Sequence, residues 1–181
     1  TLRTAQLARS FTRQSMIRNA TINDLDRIIE ITKACAAFMI SNKIFQWNEH
    51  YPNIETFEND VLKGNLYVLE IKNKLIGCLV ISNKMDEFYS KVNWLTPNKN
   101  NLYLHRLAVD PDYQKKGYAK QLMSFSFEFA KANNIKSIRL DTFSGNPFNN
   151  VFYSNLGFEK LGEIYFRKQS DKPFYCFEKV M

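Results

Sequence analysis

Residues 102–120 read Leu-Tyr-Leu-His-Arg-Leu-Ala-Val-Asp-Pro-Asp-Tyr-Gln-Lys-Lys-Gly-Tyr-Ala-Lys. A β-prone apolar run stops at Asp110-Pro111, crosses a short basic loop with one glycine, and enters a helical repeat of apolar positions. The stretch therefore predicts a strand, a turn and a helix start. Backbone N–H groups at such a helix start have no intrahelical acceptors, so together they form a cradle for an anionic group.

Upstream, residues 66–71 and 75–81 are β-rich and joined by Lys72-Asn73-Lys74, which predicts an antiparallel hairpin. Before them, Leu25, Ile28, Ile29, Thr32, Cys35 and Met39 recur at helical spacing, with Thr21 and Asp24 as a capping pair. A shorter helix over 54–63 stops at Gly64. Downstream, Ala119, Leu122, Met123, Ser126, Phe129 and Ala130 form one helical face ending near Asn133. Phe125 and Phe127 lie off that face, so the helix is expected to be covered on more than one side. A strand over 137–143, a short helix over 148–155 closed by Gly157, and strands over 159–166 and 174–179 complete a β-α-α-β-β-β-α-β-α-β-β order. That is a mixed α/β sheet in one domain, residues 16–181. Two segments are irregular: 43–52, rich in aromatic and hydrogen-bonding groups, and 82–101, a polar insertion in which a short helix beside a binding site is expected.

The bulk properties narrow the function class. No run approaches the ~20 apolar residues of a membrane helix, so no membrane partner is expected. The formal charge is +7, three of it from Arg3, Arg9 and Arg13 in an acid-free leading segment. The basic residues form no aromatic-interleaved stripe, so no nucleic acid partner is expected. Cys35, Cys78 and Cys176 are odd in number and lack metal-ligand spacing, which points to reduced thiols, a cytoplasmic location and no metal site. Residues 1–15 have the composition of either a mitochondrial presequence or a vector-derived leader; we read them as the latter and exclude them from the fold.

The spacing Gln114-x-x-Gly117-x-Ala119 is followed about thirty residues on by Asn146-Pro-Phe-Asn-Asn-Val-Phe-Tyr153-Ser-Asn-Leu-Gly157-Phe158. Here the chain resembles the GNAT acyltransferase superfamily: Leu107, Val109, Pro111, Tyr113, Gln114, Gly117 and Ala119 match the first half of its signature, and Asn146, Tyr153, Gly157 and Phe158 the second. The resemblance implies a central mixed sheet flanked by about four helices, and acetyl-CoA as co-substrate. It also implies that the backbone of Leu107, Ala108 and Val109 holds the pantetheine arm. Gln114, Lys115, Lys116, Gly117, Tyr118 and Ala119 would wrap the pyrophosphate, Asn146 would contact the pantetheine or thiol end, and Tyr153 would protonate the departing thiolate.

The reaction must also take a proton. An amine of pKa near 10.4 costs roughly 4.6 kcal/mol to neutralise at pH 7. Many members of the family place a glutamate early on the central strand, where this chain has Tyr103. His105, two residues along and on the same face by alternation, is the expected base, with Glu49, His50 and Asp141 as alternatives. No cysteine is placed as an acyl carrier, so direct attack in a ternary complex is expected. Trp47, Glu49, Tyr51, Glu87, Tyr89 and Trp94 are expected on the acceptor side, a composition suited to a small cationic amine. The competing readings are a peptide or protein N-terminal acetyltransferase and a non-catalytic acyl-CoA-binding regulator. A monomer or homodimer is expected.

Overall fold

The computed structural model describes residues 15–167 and 169–181. The leader expected over 1–15 therefore lies outside the described residues, apart from Ser15. The elements run β1 (Ser15–Asn19), α1 (Leu25–Ser41), α2 (Ile54–Leu62), β2 (Leu66–Ile71), β3 (Lys74–Ser82), β4 (Asn101–Val109), α3 (Tyr118–Ala132), β5 (Ser137–Phe143), α4 (Pro147–Asn155), β6 (Glu159–Ile164) and β7 (Phe174–Val180). This is the order expected, with β6 two residues shorter.

Local chemistry sets several boundaries. Asp24 accepts from both the backbone N–H and the hydroxyl of Thr21, at 2.7 and 2.9 Å, closing the box that leads into α1. Lys72 and Asn73 both have positive φ, 49° and 61°, which a two-residue hairpin turn needs to match the twist of its strands. Asn53 caps α2 by accepting from the Thr56 N–H at 3.0 Å.

The seven strands form one sheet in the order β1-β2-β3-β4-β5-β7-β6, antiparallel except at β4–β5. One face carries α3: Leu122, Met123, Phe125, Phe129 and Ala130 pack against β-strand side chains including Leu102, Leu104, Val109 and Ile138. Phe127, off that stripe, is half-buried against Phe158, so the helix is covered on a second side as its sequence implied. The other face carries α1 and α2 over Val68, Cys78, Val80 and Ala108, and beyond them an aromatic cluster around Tyr89, Tyr103, Phe143 and Phe174.

The sheet is interrupted at its centre. The parallel pairing of β4 with β5 covers only Asn101 to Leu104 against Ser137 to Leu140, although β4 runs on to Val109. At that point β4 also bulges. Val80 pairs with His105 and Cys78 with Ala108, so Leu79 faces both Arg106 and Leu107. A bulge bends its strand and adds twist, and here it coincides with the parting of the two strands.

The insertion between β3 and β4 is anchored from below. Arg139 on β5 and Glu178 on β7 form a fully buried ion pair at 2.9 Å. Glu178 also accepts from the Leu95 N–H and the Thr96 hydroxyl, and Arg139 donates to Asn98 and to the Thr96 carbonyl. A 3-10 turn, Glu87–Lys91, takes the place of the short helix expected there.

Candidate active site

A cleft of about 1490 Å³ opens where β4 and β5 part, and His105, Arg106, Leu107, Asp141 and Tyr153 are among its walls. A smaller cavity of about 210 Å³ lies at the start of α3, against Val109, Gln114, Lys115, Gly117, Tyr118 and Ala119. The expected strand edge and the expected loop thus line two adjoining hollows.

The loop has the geometry of an anion cradle. Lys115 and Gly117 have φ of 60° and 86°, and alternation of this kind turns successive N–H groups to one side. Gly117 directly precedes α3, whose first turn holds no acidic residue to compete for those donors. Gln114 braces the loop by donating from Nε2 to the Val109 carbonyl at 3.0 Å. Lys116 donates to the Asp112 carbonyl and lies over the Tyr113 ring.

Two groups suited to moving protons line the larger cleft. Asp141 accepts from the Tyr89 hydroxyl at 2.5 Å. Burial pushes its carboxyl up to about 6, although that hydrogen bond and the Arg106 charge pull the other way. Tyr153 packs its ring against Phe152, Phe158 and Phe177, and among the described residues no group hydrogen-bonds its hydroxyl. Burial, with help from the Asp141 charge, pushes the phenol well up, so it keeps its proton at neutral pH.

The residues expected to act directly take different places. His105 lines the cleft, but burial and then the Arg106 charge lower its pKa to about 3, so it is a neutral imidazole of low basicity. Tyr103 shares its side of the sheet but is buried away from the cleft walls, where its hydroxyl accepts from Arg139 at 3.3 Å. Of the acceptor-side set, Trp47, Tyr51 and Glu87 line the cleft. Tyr89 is fully buried behind Asp141, Trp94 lies over the Arg139 guanidinium at 4.5 Å and donates to the Tyr89 carbonyl, and Glu49 is exposed beside His50. Asn146 is buried as the cap of α4, accepting from the Asn149 N–H at 3.1 Å and donating to Gln46 at 3.2 Å. All three cysteines are buried, and burial pushes the Cys35 and Cys78 thiols up to about 12, far from a reactive thiolate. Among the described residues there is no cluster of metal ligands, and no helix is long and apolar enough to cross a membrane.

Arg106 and Asp60 were not singled out from the sequence, although their neighbour Tyr51 was. The available signal was a charged residue inside an apolar strand run, which needs a buried counter-ion. The bulge that turns it toward α2 has no signature in the sequence.

A family model described as "Acetyltransferase (GNAT) family" matches residues 26–158. A GNAT family acetyltransferase from Streptococcus agalactiae has the same fold, with a TM-score of 0.76, 23% identity, and coverage of 92% of this chain and 95% of that one. The PaiA N-acetyltransferase of Thermoplasma acidophilum, solved with coenzyme A, gives 0.70 at 20% identity, over 92% and 99%. N-acetylaspartate synthetase of Danio rerio is 27% identical over 111 residues, 61% of this chain and 35% of that protein, so the chain spans about a third of that relative's length.

Proposed function

We propose, from the premise that the chain belongs to the GNAT acetyltransferase family, that it moves the acetyl group of acetyl-CoA to the primary amine of a small molecule by direct attack in a ternary complex. The observation that carries this reading is the parting of β4 from β5. It leaves the edge of β4 from His105 to Val109 without a strand partner on the β5 side, and opens a cleft whose walls include Asp141 and Tyr153.

The free edge of Leu107 to Val109 has backbone groups to offer the amides of the pantetheine arm, and the Gln114–Ala119 loop offers N–H groups to the pyrophosphate. Asp141 is a carboxylate above about pH 6, so it can accept a proton from an ammonium acceptor. The neutral amine attacks the thioester carbonyl and the carbon–sulfur bond breaks. Tyr153 donates a hydrogen bond to the departing sulfur, and the second amine proton completes the thiol. One proton is left for solvent. His105, neutral and also lining the cleft, can orient the amine without competing for its proton.

A small acceptor is supported by the insertion, since Met85, Asp86, Glu87 and Phe88 all line the cleft and occupy space a folded protein surface would need. Reduced, buried cysteines support a cytoplasmic setting. The test is release of CoA thiol from acetyl-CoA, followed with a thiol-reactive chromophore, against a panel of polyamines, amino acids, arylalkylamines and short peptides with free N-termini. Turnover with small amines that is lost in Tyr153→Phe is expected. Turnover with peptides alone would replace the acceptor assignment, and CoA binding with no turnover on any amine would favour the regulator.

A further inference from the structure

We propose that Arg106 recognises a carboxylate on the acceptor, so that the molecules acetylated are amino-acid-like, carrying an acid as well as the reacting amine. The proposal rests on the acetyltransferase reading above and specifies its acceptor.

Arg106 has a positive φ of 52°, and a non-glycine residue held there inside a strand is strained. The bulge is what places it. Leu102 and Leu104 face α3, Tyr103 faces the opposite side, and by alternation Arg106 would follow Leu104 toward α3. The extra residue instead leaves Leu107 and Val109 toward α3 and turns the Arg106 side chain to Asp60 of α2 and to Tyr51. Arg106 and His105 are thereby neighbours on the cleft wall.

The guanidinium is held but not used up. Its Nε and Nη2 meet Asp60 Oδ2 at 3.0 and 2.7 Å, and Nη1 donates to the Tyr51 hydroxyl at 3.0 Å. A guanidinium carries five N–H donors, so one hydrogen on each terminal nitrogen has no acceptor among the described residues. Arg139 provides the contrast within the same sheet. Its Nε, Nη1 and Nη2 are engaged by Glu178, Asn98, Tyr103 and Thr96, Trp94 covers its face, and its side chain is 0% exposed against 14% for Arg106. One arginine is spent on structure, and the other keeps a rigid fork open on a cleft. A pre-positioned fork of this kind suits a carboxylate, because the ordering has been done before the ligand arrives.

The local charge agrees. Asp60 offsets Arg106, and Lys63, which also lines the cleft, bears electrostatically on Asp60. Lys63 thus adds a second cation to this cleft, and Asp141 supplies the carboxylate that the acceptor's own ammonium would meet. Phosphates of CoA are poor candidates for the Arg106 fork, because their cradle starts at Gln114, beyond the end of β4, whereas Arg106 stands where β4 parts from β5. From there it bears on Asp141. An acceptor whose acid sits on Arg106 can direct its amine toward that carboxylate.

The test measures binding without turnover. The CoA-loaded protein is titrated calorimetrically with N-acetyl derivatives of glycine, leucine, phenylalanine, aspartate and lysine, each as the free acid and as the carboxamide. At least one free acid should bind about 10- to 100-fold more tightly than its amide, as a charge-assisted pair to a fixed guanidinium implies. Arg106→Lys, which keeps the charge and loses the fork, should bring that ratio within about threefold, with its melting temperature checked in parallel. Tyr51→Phe, which leaves the ion pair with Asp60 intact but loosens the fork, should lie between. Equal binding of acid and amide by the wild type, no binding of any free acid at millimolar concentration, or a ratio unchanged in a folded Arg106→Lys variant would each overturn the proposal. If the acid preference holds but no amine is ever acetylated, the acetyltransferase reading fails and the carboxylate site stands.

Discussion

Tyr89 of the insertion donates its phenolic hydrogen to Asp141 Oδ1 at 2.5 Å, so an element outside the central sheet holds the one carboxylate of β5 that faces the cleft. The bond opposes burial, which pushes the Asp141 carboxyl up to about 6. The acidic limb of kcat/KM should therefore lie near pH 6 and be absent in Asp141→Asn, with a rate loss at pH 8 of about 100-fold or more. Tyr89→Phe removes a bond that stabilises the charged form, so its limb should move to higher pH. A pH profile between 5 and 9 measures all three. An Asp141→Asn enzyme as fast as wild type at pH 8 would remove Asp141 from the mechanism.

The same carboxyl predicts a stability effect of opposite sign. A pKa higher in the folded than in the unfolded chain means that the folded state binds more protons between about pH 4 and pH 6, so stability falls as pH rises through that window. Raising the carboxyl from 3.8 to about 6 corresponds to roughly 3 kcal/mol once the group is charged. Asp141→Asn keeps an acceptor for Tyr89 and avoids the charge. It should be more stable than wild type in urea at pH 8 by up to that amount, with the difference shrinking toward pH 4.

The strand, loop and helix of 102–120 were legible because hydrophobic period, proline and glycine are local signals, and so were both signature halves. What the sequence did not show was decided by partners distant along the chain. Trp94 and Tyr89 have the composition of an acceptor pocket, yet one covers Arg139 and the other backs Asp141, because a buried guanidinium and a buried carboxylate each need a neighbour that only folding brings. His105 was correctly placed on the side of Tyr103 by alternation, but its basicity is set first by burial, which only folding decides, and then by its neighbour Arg106, which the bulge keeps on the same cleft wall. Alternation itself fails one residue later, at the bulge.

Tyr153 offers a hydroxyl that no described residue engages, in a ring cage of Phe152, Phe158 and Phe177. Tyr153→Phe preserves the cage, so unfolding free energy should change by less than about 1 kcal/mol. If Tyr153 serves the departing sulfur as proposed, its loss should lower kcat by about 100-fold or more, with the KM for acetyl-CoA little changed. A fall in affinity with unchanged kcat would make the hydroxyl a binding group instead.

Arg139 and Glu178 anchor the insertion that carries Tyr89 and Trp94. Replacing one partner leaves an uncompensated buried charge, so Glu178→Gln or Arg139→Met should cost about 3–5 kcal/mol in urea unfolding. The double replacement removes both charges and should recover part of that loss. Because Leu95, Thr96 and Asn98 hang on this pair, proteolysis of the single variants should begin within residues 83–100.

Gly117 and Gly64 allow strain and function to be separated. Their φ values are 86° and 67°, and a Cβ at either position would meet nothing within 4 Å. Alanine at either should thus cost only the left-handed backbone penalty, about 1–2 kcal/mol, with no steric clash. The consequences for ligand should differ. Gly117 directly precedes α3 and sets the direction of the N–H groups in the cradle, whereas Gly64 follows α2. Gly117→Ala should weaken CoA binding in calorimetry by about tenfold or more, and Gly64→Ala, similarly destabilised, should leave it within about twofold. Equal weakening in the two would mean that CoA affinity tracks global stability and that the loop is not the cradle.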